Sequence, residues 1–317
     1  MAAGRPVRSA SGQTMGTTWM VRWHAHDGAV HPQLAIDAEL ARLGVQLSTW
    51  RDDSDITRLN DAPVGDWIEV PDTLFEVVAS ACAIALETGG AFDPTVGAIV
   101  ESWGFGPQRG VPHVLACDWR AIELDVRARA IRRSADVRLD LSAIAKGDAV
   151  DRVSALMGQL GLSDHLVEIG GELRGAGVKP DWSPWWVALE SPPDAAGRAT
   201  RPNIVVALHG LSVATSGDYR QRVTRAGVAH SHTVDPRLGT PVAGDVAAVS
   251  VIHESCRMAD AVSTALLVMG AKHGLEWATR HGIAAVFRCR RPDGPVDLVT
   301  PCLNAWSQPE PSISQAR

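Results

Sequence analysis

The sequence predicts an α+β fold with a largely antiparallel sheet. Segments rich in β-branched residues outnumber the long amphipathic helices, and many of them are joined by short turns, which argues against a doubly wound parallel sheet. The 317 residues are 45% apolar, enough for an ordinary globular core. No repeat of fixed period and no clear linker interrupts them. We therefore expect one continuous domain over residues 13–300, preceded by a flexible N-terminus (1–12) and followed by a loose tail (301–317).

Apolar spacing places the helices. Between Leu34 and Leu47, the residues Ile36, Leu40, Leu43 and Leu47 recur at helical period and define one inward face. A second helix begins near Thr73 and Glu76, which have capping-box spacing after Pro71, and stops at Gly89-Gly90. A third follows Lys146, carries Val150, Val153, Met157 and Leu160 on one stripe, and ends at Gly161. A fourth runs from about Met258 to Met269 and ends at Gly270. Strands are predicted at Val137 to Leu141, Leu166 to Ile169, Trp185 to Leu189, Ile204 to Leu208, Val246 to Ile252 and Ala284 to Arg288. The Pro/Ala/Gly-rich stretch from Ser191 to Arg201 reads as a surface loop.

Charge and cysteine usage exclude several function classes. A net charge of −6 and a pI near 6.0 offer no basic footprint for a nucleic-acid backbone. The five cysteines (Cys82, Cys117, Cys256, Cys289, Cys302) stand singly, with no CxxC pair and no zinc-like Cys/His spacing, and read as free thiols in a reducing compartment. The N-terminal residues include no apolar run of signal-peptide length, and no segment has about 18 uninterrupted apolar residues for a membrane span. The chain as written is expected in the cytoplasm, or in the periplasm if its N-terminus was trimmed.

Three segments have residue types suited to chemistry. In Ala259 to Leu266, Asp260 and Thr264 are four apart, so a carboxylate and a hydroxyl project from one helical face. Both are hard oxygen donors suited to Mg²⁺ or Ca²⁺; the same spacing also fits a helix cap beside a hydroxyl bonded back to its own helix. In Leu139 to Gly147, small residues lead from a strand into a helix start bearing Lys146, an arrangement that favours an anion such as phosphate and equally fits an ordinary turn with a solvated lysine. It is not a P-loop, since GxxxxGK[ST] is absent. In Ser231 to Gly239, His232 precedes an Asp-Pro turn and is able to accept a proton near neutral pH, though it is one of eleven histidines. Two Gly-rich segments, Gly89 to Thr95 and Glu168 to Glu172, are either tight turns or places where backbone approaches a flat ligand.

Taken in order, Met15-Gly16-Thr17, the stretch from Ser48-Thr49-Trp50 to Asn60, GGAFDPTVG, WGFG, LDLSAIAKGDAVD, EIGGELRGAG, ATSGDY, HTVDPRLGTPV and ADAVSTALLVMG resemble the motifs of the ApbE family of FAD:protein FMN transferases. The resemblance covers nearly the whole chain and rests on the series rather than on any one motif. It implies a T-fold-like domain that holds FAD in a cleft, with Mg²⁺ on the pyrophosphate. It also implies Asp260 and Thr264 as side-chain metal ligands, joined by backbone oxygens of Ala143 and Ser263. Met15, Trp50, Ala91, Phe92, Asp93, Asp140, Lys146 and Val234 match flavin-contacting positions, Lys146 stabilises developing charge, and His232 matches a proposed general base. The implied reaction attaches FMN to a threonine hydroxyl of an acceptor flavoprotein through a phosphoester and releases AMP. Rival readings of the same residues are an Mg-dependent FAD pyrophosphatase and a non-catalytic flavin-binding protein.

Two substitutions depart from the family pattern. Trp50 stands where tyrosine is common, and either ring is able to cover a flat heterocycle. Asp148 replaces an aromatic residue after the Lys-Gly pair and is expected to alter the pocket edge.

Overall fold

A computed structural model describes residues 6–24, 30–107, 117–189, 204–219, 222–225 and 227–307. The chain opens with β1 (Arg8–Thr14) and β2 (Thr17–Trp23), then α1 (Gln33–Leu47), α2 (Asp55–Asp61), β3 (Trp67–Glu69), α3 (Asp72–Glu87) and α4 (Gly97–Trp103). Next come β4 (Ile122–Asp125), β5 (Ala130–Arg133), α5 (Ala145–Gln159), β6 (His165–Ile169), β7 (Glu172–Ala176), β8 (Trp185–Ala188), β9 (Val205–Leu208) and β10 (Leu211–Gly217). Four short strands follow: β11 (Arg222–Arg225), β12 (Val228–Ser231), β13 (Val234–Asp235) and β14 (Thr240–Pro241). The chain closes with β15 (Val246–His253), α6 (Cys256–Arg280), β16 (Ala284–Cys289), β17 (Val296–Val299) and α7 (Pro301–Ser307).

The main sheet has eight strands in the order β1-β2-β6-β7-β10-β15-β16-β17. Every neighbouring pair is antiparallel, as the turn-rich sequence predicts. One face packs on α6 through Ala214, Val249, Val251, Ala285 and Phe287, and the other buries Val213, Ile252 and Val286 against Trp185, Leu208 and Leu303. β15 lies between these layers and is buried from Val246 to Ile252, so its apolar run is nearly continuous rather than alternating. A further cluster joins β2 and β6 to α1, α3 and α5. Among the described residues, no helix is long and apolar enough to cross a membrane.

Several elements differ from the sequence prediction. β1 begins at Arg8, inside the expected flexible lead, and α7 occupies the start of the expected tail. The stretch from Ser191 to Arg201 lies outside the described residues. The capping box at Thr73 and Glu76 does not form: the first helical residue is Asp72, the cap is Pro71 without a side-chain bond, and Thr73 Oγ1 accepts from Arg42. α6 does break at Gly270 (φ 74°, ψ 178°), but helix resumes to Arg280 because Leu275 and Ala278 pack on the same core as the first half. α2 and α4 are too short for the periodic signal.

Val137 to Leu141 is extended but joins no sheet ladder beyond one parallel bridge, Val96 to Arg138. A side chain takes the place of a neighbouring strand. Asn60 Nδ2 donates to the Leu139 carbonyl (2.9 Å) and Asn60 Oδ1 accepts from the Leu139 N–H (2.8 Å). On the other side, the Arg138 carbonyl accepts from Gly97 N–H (2.9 Å) and Asp140 N–H donates to Pro94 (2.8 Å). The GGAFDPTVG turn and Asn60 thus clasp the segment that leads into α5.

Asn60→Ala leaves two buried backbone groups of Leu139 without partners. A loss of about 2–4 kcal/mol is expected in urea unfolding with unchanged m-value. Asn60→Asp keeps the acceptor but sets an oxygen against the Leu139 carbonyl, so it should rescue little of the loss.

Candidate active site

The helix start that this clasp positions brings an ammonium against buried carboxyls. Lys146, in the first turn of α5, donates to Glu172 Oε1 at the beginning of β7, and Asp260 in α6 accepts the Gly147 N–H through Oδ2 at 3.0 Å. Asp260 and Glu172 are each 3% exposed. Burial pushes the Glu172 carboxyl up to about 7, with Lys146 opposing and the Asp260 charge adding to the rise. Burial also raises Asp260, against the pull of Lys146 and the Gly147 N–H. For Lys146, burial disfavours the ammonium, but Asp260 and Glu172 together outweigh it and hold its pKa above the usual lysine value. Lys146 thus contacts one buried carboxylate, Glu172, and feels the charge of a second, Asp260. Among the described residues, Glu172 Oε2 has no hydrogen-bond partner.

Close approach of α5 to α6 explains the glycine after Lys146. A Cβ on Gly147 would lie 2.3 Å from the Cys256 carbonyl oxygen and 2.8 Å from Asp260 Cβ. The Gly147 N–H that a continuing helix would give to the Ala143 carbonyl goes to Asp260 instead. Ala143 itself is half-buried, in the turn before the helix.

One turn beyond Asp260, Thr264 Oγ1 lies 2.8 Å from Ser216 Oγ of β10, which also lies 2.8 Å from Ser263 Oγ. Ser263 Oγ donates to the Asp260 carbonyl (2.9 Å). Asp260 is not the helix cap: Ser255 accepts from Met258 N–H, while Asp151 of α5 accepts from Cys256 N–H (3.0 Å) and Arg257 N–H (3.1 Å). Ser216 and Glu172 escaped the sequence reading as individual residues, although ATSGDY and EIGGELRGAG contain them. Nothing in local spacing reveals that β10 and β7 bring them to α6 and α5.

Two hairpin turns meet at this end of the sheet. Met15 (φ 48°) and Gly16 join β1 to β2, and Gly170 (φ 63°) and Gly171 join β6 to β7. Gly170 N–H donates to the Thr18 carbonyl at 3.0 Å. A Cβ at Gly170 would lie 2.9 Å from Thr17 Cγ2, so both conformation and proximity require glycine. Asp140 Oδ1 accepts from Ser142 N–H (2.7 Å) and stays part-exposed. Asp93 is committed within its own turn, accepting from the Thr95 N–H (2.8 Å), the Thr95 hydroxyl (2.6 Å) and the Trp119 N–H (3.2 Å). Ala91 and Phe92 are buried, Phe92 in the core.

The sequence profile described as the ApbE family matches residues 15–287. This chain belongs to the ApbE family. It is 34% identical to an FAD:protein FMN transferase of Haemophilus influenzae over 91% of this chain and 88% of that protein, and 34% identical to one of Vibrio cholerae over 90% and 88%. The crystal structure of the Pseudomonas stutzeri flavinyl transferase ApbE in its apo form superposes with a TM-score of 0.85 at 36% identity, covering 95% of this chain and 96% of that one. The flavin transferase ApbE from Vibrio cholerae gives 0.83 at 31%, covering 95% and 99%.

Within this ApbE framework, Trp50 is 62% exposed and is therefore no core residue. His232 is half-buried, with its ring 6.3 Å from and edge-on to Phe105, and Val234 is buried in the β13–β14 hairpin opposite Pro241. Asp148 does not face a pocket edge as expected. Its side chain is fully buried between α5 and α6, pairing with Arg152 (2.8 Å) and Arg257. The five thiols are free, and burial pushes Cys82 and Cys117 up to about 12.

Trp50→Ala should weaken FAD affinity by about tenfold, in line with the loss of one aromatic stack. The melting temperature of the protein without FAD should move by less than about 2 °C, as for other exposed sites. Isothermal titration and thermal unfolding of the same sample check both. Unchanged FAD affinity would remove Trp50 from the ligand site.

Proposed function

We propose that this protein is an FAD:protein FMN transferase that attaches FMN to a threonine hydroxyl of an acceptor flavoprotein and releases AMP. The observation that carries the reading is the cluster of half-buried Lys146 with buried Glu172 and Asp260 beside the Ser216, Ser263 and Thr264 hydroxyls, on an ApbE chain. In the reaction, the threonine oxygen forms a bond to the FMN phosphorus as the bond from that phosphorus to the bridging oxygen breaks. AMP departs with the bridging oxygen.

The donor set fits a divalent cation. Asp260 and Thr264 present a carboxylate and a hydroxyl one helical turn apart, a second carboxyl, Glu172, stands near, and its Oε2 lacks a partner among the described residues. Asp260, Thr264 and the backbone oxygens of Ala143 and Ser263 would hold Mg²⁺, which when bound would neutralise charge on the pyrophosphate. Lys146, 30% exposed at its side chain and oriented by Glu172, offers its ammonium to the phosphate oxygens. His232 accepts the proton of the threonine hydroxyl. Met15, Trp50, the Ala91 to Asp93 turn, Asp140 and Val234 shape the flavin cleft. No residue of this chain needs to form a covalent bond, because the nucleophile belongs to the acceptor.

Incubation with FAD, Mg²⁺ and a domain carrying a candidate acceptor threonine should yield, by intact mass, an acceptor heavier by one FMN. Free FMN and AMP without an adduct would mean hydrolysis instead. His232→Ala should lower transfer by about a hundredfold or more while retaining FAD. A variant with near wild-type turnover would take His232 out of the mechanism.

Asp260→Asn keeps size but removes charge, so it should raise the Mg²⁺ concentration needed for half-maximal activity by about tenfold or more, with Thr264→Val doing the same more mildly. The double variant should show less than the sum of the two effects, as for residues sharing one ion. Mg²⁺ titrations of the three variants test this, and unchanged metal dependence in Asp260→Asn would refute the metal site.

A further inference from the structure

The motif Trp103-Gly104-Phe105-Gly106 holds none of the ligand positions above, yet it touches the histidine loop at several points. α4 ends at Gly104 with φ 89°, a conformation open to glycine. Gly104 N–H donates to Glu101 (2.9 Å) and Phe105 N–H to Val100 (3.1 Å), so the chain turns sharply after Trp103. A Cβ on Gly106 would lie 2.3 Å from Glu101 Cγ, which keeps that turn tight against the helix.

Both aromatic rings then meet the loop bearing His232. Trp103 Nε1 donates to the Gly239 carbonyl at 3.1 Å, beyond the Asp-Pro turn. The Trp103 ring packs on His230, two residues before His232, with centroids 5.1 Å apart. Arg225, on the strand paired with that of His230, sets its guanidinium 4.8 Å over the same ring and donates to the Ser102 carbonyl. Phe105 meets the His232 ring at 6.3 Å and 70°, an edge-to-face contact that orients the imidazole plane. Phe105 thus meets the His232 ring itself, while Trp103 meets the loop before it through the His230 ring and after it through the Gly239 carbonyl.

We infer that Trp103 and Phe105 are positioning residues for His232, and that they set the rate of the transfer step rather than the affinity for FAD. This rests on the assignment of His232 as the base. The physical ground is that proton abstraction demands a narrow geometry, and the loop's own bonds, such as Val242 N–H to the Thr233 carbonyl (2.9 Å) and Gly239 N–H to the Asp235 carbonyl (2.8 Å), fix its backbone without fixing the plane of the His232 ring, which Phe105 meets. A displacement of about 1 Å is enough to cost on the order of a hundredfold in rate.

The test combines Trp103→Leu, Phe105→Leu and Phe105→Tyr with His232→Ala, reading single-turnover transfer rates and FAD affinity by titration. Both leucine variants should lower the transfer rate by about tenfold or more and leave FAD affinity within about twofold. Phe105→Tyr, which keeps the ring, should restore most of the rate. In a His232→Ala background, adding Trp103→Leu or Phe105→Leu should cost nothing further. An additional full loss in that background, or FAD affinity falling in step with rate, would overturn the inference. Because Trp103 also anchors α4, its loss is expected to lower the melting temperature. Phe105→Leu is the second, milder variant, and rates are read well below the melting point of each. Near wild-type turnover in His232→Ala alone would instead bring down the base assignment, and the inference with it.

Discussion

The structure depends on a reciprocal exchange of carboxylates between two helix N-termini. Asp260 of α6 accepts the Gly147 N–H at the start of α5, while Asp151 of α5 accepts the Cys256 and Arg257 N–H groups at the start of α6 and the Ser255 hydroxyl as well. Each helix supplies an acid where the other has unsatisfied donors and a positive dipole end. Asp148 extends the junction by pairing with Arg152 and Arg257, and Arg174 reaches Asp151 from β7. Removing Asp260 or Asp151 takes away the acceptor of the Gly147 N–H or of the Cys256 and Arg257 N–H groups, so the junction tolerates little change.

That junction also creates the chemistry. The approach that lets Asp260 reach Gly147 also sets the neighbouring Lys146 against Glu172, with the Asp260 charge close enough to act on both. Burial penalises both carboxylates, and the Lys146 charge is what offsets that penalty in the folded chain. Beside this cluster, the Ser263 and Thr264 hydroxyls of α6 meet the Ser216 hydroxyl of β10. Upstream, Asn60 and the Pro94 to Gly97 turn hold the segment that feeds α5, so a fault far from Lys146 in sequence still moves it.

Some of this was legible in the sequence and some was not. The periodic faces of α1 and α5 appear where Ile36, Leu40, Leu43, Val150, Val153 and Met157 put them, because burial of a helical stripe is a local pattern repeated over several turns. The segment from Val137 to Leu141 misled, because its β-branched character reports only an extended backbone, and the partner that completes it is the side chain of Asn60, 79 residues earlier. Thr73 and Glu76 had capping spacing, yet Thr73 instead serves Arg42 across the helix packing. Asp148 was equally deceptive, since an acid after Lys-Gly says nothing of the two arginines that meet it.

By itself the sequence determined the antiparallel α+β class, the main helical faces and strands, the ordered motifs of the ApbE family and the residue types available for chemistry. Those are properties of short windows and their order along the chain. Only the tertiary structure decided which acids are paired, that Asp260 caps α5 rather than its own helix, that Glu172 and Ser216 join the cluster, and that Trp50 is exposed while Phe92 is core. The reason is physical: charge pairing and desolvation depend on which elements pack together, and α5, α6, β7 and β10 meet across more than a hundred residues of intervening chain.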